Sequence, residues 1–130
     1  MTAHDGIRTL MQRYARAVDD RDLVTLEALF HPQADITGAR GPQTLAEWLE
    51  TMRAPRSFPV SMHLLGEPLI SHRDGSDEAT ADTYAVVHQI GDAAAGQGDL
   101  TLGMRYLDQL VVAGGRWVIR SRSSRVVWMR

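Results

Sequence analysis

A chain of 130 residues with 44% apolar side chains can bury a full core and reads as one domain over residues 1–130. Its formal net charge of −2 offers no attraction to nucleic acid or to an anionic membrane. Cys, Lys and Asn are absent and all 14 basic residues are Arg, which excludes disulfides, thiolate nucleophiles, Schiff bases, the phosphate-loop lysine and N-glycosylation.

The N-terminal MTAHDGIRTL is polar, without the apolar segment of a secretory signal, and no apolar run nears the roughly 18 residues needed to span a bilayer, so a cytoplasmic protein is expected. Ile7, Leu10, Met11, Tyr14, Ala17 and Val18 recur at the spacing of an amphipathic helix, expected from about His4 to Asp20. Asp22 reads as the N-cap of a second helix with Leu23, Leu26, Leu29 and Phe30 on its buried side, stopped by Pro32. Ala34–Thr37 is a short strand candidate, and Gly38, Gly41 and Pro42 mark a loop. A third helix is expected over Gln43–Met52, turning Leu45, Trp48, Leu49 and Met52 inward.

Beyond Pro59 the pattern becomes extended. Ser61–His72, Glu78–Ile90, Leu100–Val112 and Arg116–Trp128 read as four long antiparallel strands, with hairpin turns at Asp74-Gly75 and Gly114-Gly115. Helices first and strands afterwards predict an α+β fold, a curved antiparallel sheet wrapped by three N-terminal helices. Such a cone carries a small-molecule site in its mouth.

The residues able to do chemistry are few. Tyr14 and Asp19 share the first helix, and His63 opens a strand. A carboxylate that holds an imidazole makes a general base at neutral pH, and a nearby phenol polarises a substrate oxygen. Asp19 falls near a helix C-terminus, where the macrodipole is already negative, so it requires a cationic or hydrogen-bonding partner. If Asp74-Gly75 closes a two-residue turn, Arg73 faces Ser76 and His63 faces Val86. His88 then lies diagonally from His63 on the same sheet face; one residue more or fewer in the loop puts it on the other. Alternation sets Arg120 and Arg122 on one face and Arg125 on the other, for substrate anchoring or for pairing with Asp82 or Asp108. His31 and His72 read as structural or exposed. No HExxH, facial-triad, GxSxG or GxGxxG pattern is present, so no metal and no cofactor are expected.

Six segments, YARAVDDRD (14–22), LFHPQAD (29–35), HLLGEPLI (63–70), ATADTYAVVH (79–88), MRYLDQL (104–110) and GGRWVIRSR (114–122), together resemble the nuclear-transport-factor-2-like superfamily. The likeness is to its branch of SnoaL-like cyclases and of lyases similar to scytalone dehydratase and bile-acid dehydratase. It implies a cone-shaped α+β barrel. By that resemblance Asp19 and His63 form the base, Tyr14 sits about one turn before the Asp, and Arg122 is the arginine of the last strand. His88 takes the place of a second histidine, and Trp48 and Tyr106 are assigned to the substrate cavity. Ala15 after Tyr14 and the absence of Asn depart from the fungal scytalone enzyme and argue against scytalone as substrate. The resulting expectation is a cofactor-free dehydratase-type lyase acting on a hydrophobic cyclic ketone or alcohol, polyketide-like or steroid-like. Isomerisation or aldol-type cyclisation would use the same base. A non-catalytic binding or dimerisation module is the alternative of another class. By family analogy a homodimer or homotrimer is expected, with the outer sheet face near Trp117 or Trp128 as its surface.

Overall fold

Thr2 starts the first helix. Its hydroxyl accepts from the Asp5 backbone N–H while the Asp5 carboxylate accepts from the Thr2 N–H, a reciprocal cap. The computed structural model describes all residues 1–130, and this helix, α1, spans Ala3–Asp20. Its apolar stripe of Ile7, Leu10, Met11, Tyr14, Ala17 and Val18 is buried. Arg21 ends it in the left-handed region at φ 54°, with the Arg21 and Asp22 N–H groups closing on the Val18 and Ala17 carbonyls. Asp22 caps α2 (Leu23–Leu29) through the Thr25 N–H. Thr44 and Glu47 form a second reciprocal cap on α3 (Leu45–Arg53), so this helix begins two residues later than its apolar spacing predicts.

The strands are β1 (Phe30–Gly38), β2 (Gly41–Thr44), β3 (Val60–Leu65), β4 (Leu69–His72), β5 (Glu78–Ile90), β6 (Leu100–Ala113) and β7 (Arg116–Met129). They form one sheet in the order β2-β1-β7-β6-β5-β3, with β4 also paired to β5. The order does not close on itself, and register shifts in the β6–β7 ladder bend the sheet. The expected α+β architecture is present, but the sheet is mixed rather than antiparallel: β1 runs parallel to β7. Pro32 does not stop α2, which ends at Leu29; it lies inside β1, where the β1–β7 ladder is interrupted between Phe30 and Asp35.

The three helices cover the concave face. There β5 presents Ala79, Ala81, Thr83, Ala85 and Val87, all buried, whose small side chains leave room for α1 and for Tyr14, Phe30 and Tyr106 in the core. The convex face is open and mixed, with Met62, Leu64, Tyr84, Leu107 and Trp128 exposed beside the Asp82–Arg105 ion pair.

The register corrects two expectations. The Asp74-Gly75 turn forms, with the Ser76 N–H bonded to the Arg73 carbonyl. The ladder beyond it pairs His72 with Ala79, two residues out of step, which preserves the faces. The segment expected as one strand over Ser61–His72 breaks at Gly66–Pro68, where one extra residue enters and Gly66 N–H bonds the Tyr84 carbonyl. His63 therefore faces Val87 rather than Val86, and His88 pairs with Met62 on the convex side. His88 is thus not a neighbour of His63 in a shared cavity; its Nδ1 lies 3.3 Å from the Thr101 hydroxyl. Likewise the register shift beside Arg120 frees it from alternation with Arg122. Its guanidinium donates to the Gln33 carbonyl at 2.7 Å and lies 3.6 Å from Asp35.

Candidate active site

The last turn of α1 and the middle of β3 meet at Asp19 and His63. Asp19 Oδ1 accepts from His63 Nδ1 at 2.6 Å and from the Ser61 hydroxyl at 2.9 Å, and Oδ2 accepts from the His63 backbone N–H at 2.8 Å. Ser61 reaches the same carboxylate because residues two apart on a strand share a face. Arg56, in the segment before β3, donates to the Asp19 backbone carbonyl at 3.2 Å and to Ser61 Oγ at 3.1 Å. The carboxylate at the negative end of the α1 dipole is therefore held by three donors, with a guanidinium on the adjoining carbonyl.

The pair is largely but not wholly withdrawn from water, with side chains 10% (His63) and 18% (Asp19) exposed. Burial pushes the His63 pKa below its ordinary value of 6.5, partly opposed by the hydrogen bond and charge of Asp19. Near pH 7 the ring is neutral. With Nδ1–H committed to Asp19, Nε2 carries the lone pair.

Tyr14, one and a half turns before Asp19, lies edge-on to the His63 ring at 6.4 Å between centroids. Burial raises its pKa, so its hydroxyl stays protonated and is a donor. Its ring lies at 5.9 Å from Tyr106 edge-on and at 6.5 Å from Trp48, nearly parallel. Arg122 of β7 is 2% exposed and makes a two-pronged bond to Asp108 of β6, Nε to Oδ1 at 2.7 Å and Nη2 to Oδ2 at 2.9 Å. Its guanidinium carbon sits 4.0 Å from the Tyr14 ring centroid and 4.5 Å from that of Tyr106. Arg122 Nη1 is buried without a partner, as is Thr83 Oγ1.

Tyr14, Asp19, His63, Trp48, Tyr106 and Arg122 thus gather on the concave side, and His88 does not. Asp108, Ser61, Arg56 and Arg21 belong to the same neighbourhood. Asp108 was legible as an Arg partner and Ser61 from its period-two relation to His63; neither arginine carries a local sequence signal. The expected open mouth is not what this side presents: the rings of Tyr14, Phe30, Trp48 and Tyr106 fill it, with Phe30 and Trp48 at 5.2 Å. None of the principal cavities is lined by Asp19 or His63. No three His, Asp or Glu side chains converge as metal ligands, and no helix is long and apolar enough to cross a membrane.

The chain belongs to the SnoaL-like domain family, whose pattern matches residues 1–123. No curated protein matches it. Among solved structures it is similar to a protein from Novosphingobium aromaticivorans provisionally named a scytalone dehydratase, with TM-score 0.84, 18% identity and 97% of this chain against 85% of that one covered. It is similar also to the hexachlorocyclohexane dehydrochlorinase LinA-type3 of Novosphingobium barchaimii, with TM-score 0.83, 14% identity and 97% against 87% covered. A Nostoc punctiforme protein of unknown function with a cystatin-like fold aligns at TM-score 0.78 and 23% identity, covering 97% against 93%. At these identities the likeness establishes the fold alone.

Proposed function

We propose that this protein is a cofactor-independent lyase of the dehydratase type. His63 Nε2 takes a proton from the carbon α, or vinylogous, to the carbonyl of a hydrophobic cyclic hydroxy-ketone, polyketide-like or steroid-like. Asp19 keeps the other ring proton in place and stabilises the imidazolium that forms. The Tyr14 hydroxyl and Arg122 Nη1, both enclosed by the packed rings here, donate to the developing enolate oxygen once the Tyr14–Trp48 contact parts to admit the substrate. As the enolate collapses, the β carbon–oxygen bond breaks, and the hydroxide leaves as water with the proton returned by His63. His88, across the sheet, takes no part. The observation that carries the reading is the 2.6 Å Asp19–His63 contact, with the carboxylate further anchored by Ser61. The family membership and the elimination reactions named for two fold neighbours support it. Isomerisation and intramolecular aldol cyclisation require the same first step.

A second reading, a non-catalytic binding module, draws on the rings that fill the concave side. One experiment separates the two. Exchange of α protons for deuterium in a panel of cyclic ketones and hydroxy-ketones, followed by NMR, reports the base whatever leaves afterwards. The lyase reading predicts exchange that falls by about 10²–10⁴ in His63→Gln. Exchange no faster than with that variant would favour the binding module.

A further inference from the structure

The charge around the Asp19–His63 pair does not balance. Two guanidiniums, Arg21 and Arg56, adjoin one part-buried carboxylate, Asp19, while Asp20 and Asp22 beside Arg21 in sequence are exposed and Asp22 is engaged with Thr25. Arg56 is bonded to the Asp19 carbonyl and Ser61. Arg21, two residues past Asp19, donates Nη1 to the thioether sulfur of Met52 on α3 at 2.9 Å, a weak acceptor for a cation. Neither lies within ion-pair distance of any carboxylate. Both are only partly exposed, and the Nε of each is buried without a partner. The nearby Arg122 adds no surplus, because Asp108 neutralises it. Burial first, and then repulsion from Arg56, lowers the pKa of Arg21, with Asp19 opposing; Arg21 also acts on His63.

The backbone makes the same point independently. Arg21 is the one non-glycine residue at positive φ. Glycine takes this C-cap geometry without steric penalty, whereas a Cβ is disfavoured there. An arginine held in that conformation, partly desolvated beside a second cation and bonded only to sulfur, is a poor stabiliser of the fold. Strain and unbalanced charge together mark a group kept for a ligand.

We infer that Arg21, with Arg56 behind it, receives a carboxylate of the substrate at the rim of the His63 site, so that the substrate class is an anionic, carboxylate-bearing ring compound. This rests on the lyase reading for the word substrate, but the carboxylate preference itself does not. The carboxylate would restore the local charge balance and turn the reacting ring toward Nε2 while the apolar body lies against the half-buried Trp48.

The test uses the full chain and two probes of one shape, 2-naphthoate and 2-naphthamide, titrated while the ring resonances of the histidines are followed by NMR. The naphthoate is expected to bind about tenfold or more tighter than the amide and to shift His63. In Arg21→Gln and in Arg21→Gly, the second of which suits the backbone and guards against misfolding, the two affinities should converge to within about threefold. Equal affinities in the unaltered protein, no naphthoate binding, or a preference that survives both substitutions would overturn the inference. His63→Gln separates it from the lyase reading. Retained naphthoate preference with no ketone exchange in any form sinks the lyase and leaves the anion site. Exchange of neutral ketones with no preference for carboxylate does the reverse.

Discussion

Asp108→Asn should cost more than any surface substitution in this protein. Asp108 and Arg122 expose 0% and 1% of their side chains, and the bond between them is two-pronged. The substitution removes the only carboxylate paired with a guanidinium enclosed between the Tyr14 and Tyr106 rings. Breaking one side of a buried ion pair costs about 3–5 kcal/mol, because the surviving charge stays desolvated. Set against a total stability of roughly 5–15 kcal/mol, that is a large fraction. With unfolding entropy of about 2.1 cal/mol/K per residue, 130 residues give about 0.27 kcal/mol/K, so a 4 kcal/mol loss lowers Tm by about 15 °C. Urea titration and calorimetry read both numbers. Replacing both partners, Arg122→Met with Asp108→Leu, should recover most of the loss, since an apolar pair of similar volume avoids the desolvation penalty. A loss under about 1 kcal/mol for Asp108→Asn, or a double variant less stable than the single one, would refute the claim that Arg122 is held against its desolvation by Asp108.

Three further outcomes are expected. His63 is kept neutral by burial, its folded pKa lying below the ordinary 6.5. Its contribution to stability is therefore present above pH 6.5 and is lost as pH falls from there toward the folded value, because the unfolded chain takes up the proton first. Urea titrations at pH 7.5 and 5.5 should show that loss, and His63→Gln should remove that part of it. Tyr14→Phe should change stability by about 1 kcal/mol yet slow ketone proton exchange by about 10²-fold, if the buried hydroxyl donates to the enolate; an unchanged rate would confine Tyr14 to the core. On the convex face, a Cβ at Gly103 would sit 2.1 Å from Trp128 Nε1. Gly103→Ala should therefore displace the indole, shift tryptophan fluorescence and cost about 1–3 kcal/mol, and an unaltered spectrum would contradict the packing.

The apolar stripe of α1, the Asp22 cap and three of the four expected long strands follow from local periodicity, and so the α+β architecture was legible. The need of Asp19 for a compensating partner was legible too, since a carboxylate at a helix C-terminus demands one, but the sequence leaves open that the strand arginine pairs with Asp108 rather than Asp82. The parallel β1–β7 pairing was not legible, because nothing within Phe30–Gly38 states which strand lies beside it or in which direction. The face of His88 turned on one residue at Gly66–Pro68. A period of two makes every assignment beyond a bulge depend on whether the bulge is seen, and Gly66 and Pro68 were its only sign. The filled concave side was hidden for another reason: which of four rings occupies a cavity is decided by packing among elements far apart in sequence.

On the proposed reading Asp19 and His63 form one acid–base unit kept neutral by burial. Titration of the histidine ring resonances by NMR, in the unaltered protein and in Asp19→Asn, tests it most directly. His63 is expected to titrate below 6.5 and to fall further when the carboxylate is removed, because Asp19 is what opposes burial. A His63 that titrates at or above 6.5, or that is indifferent to Asp19→Asn, would contradict it.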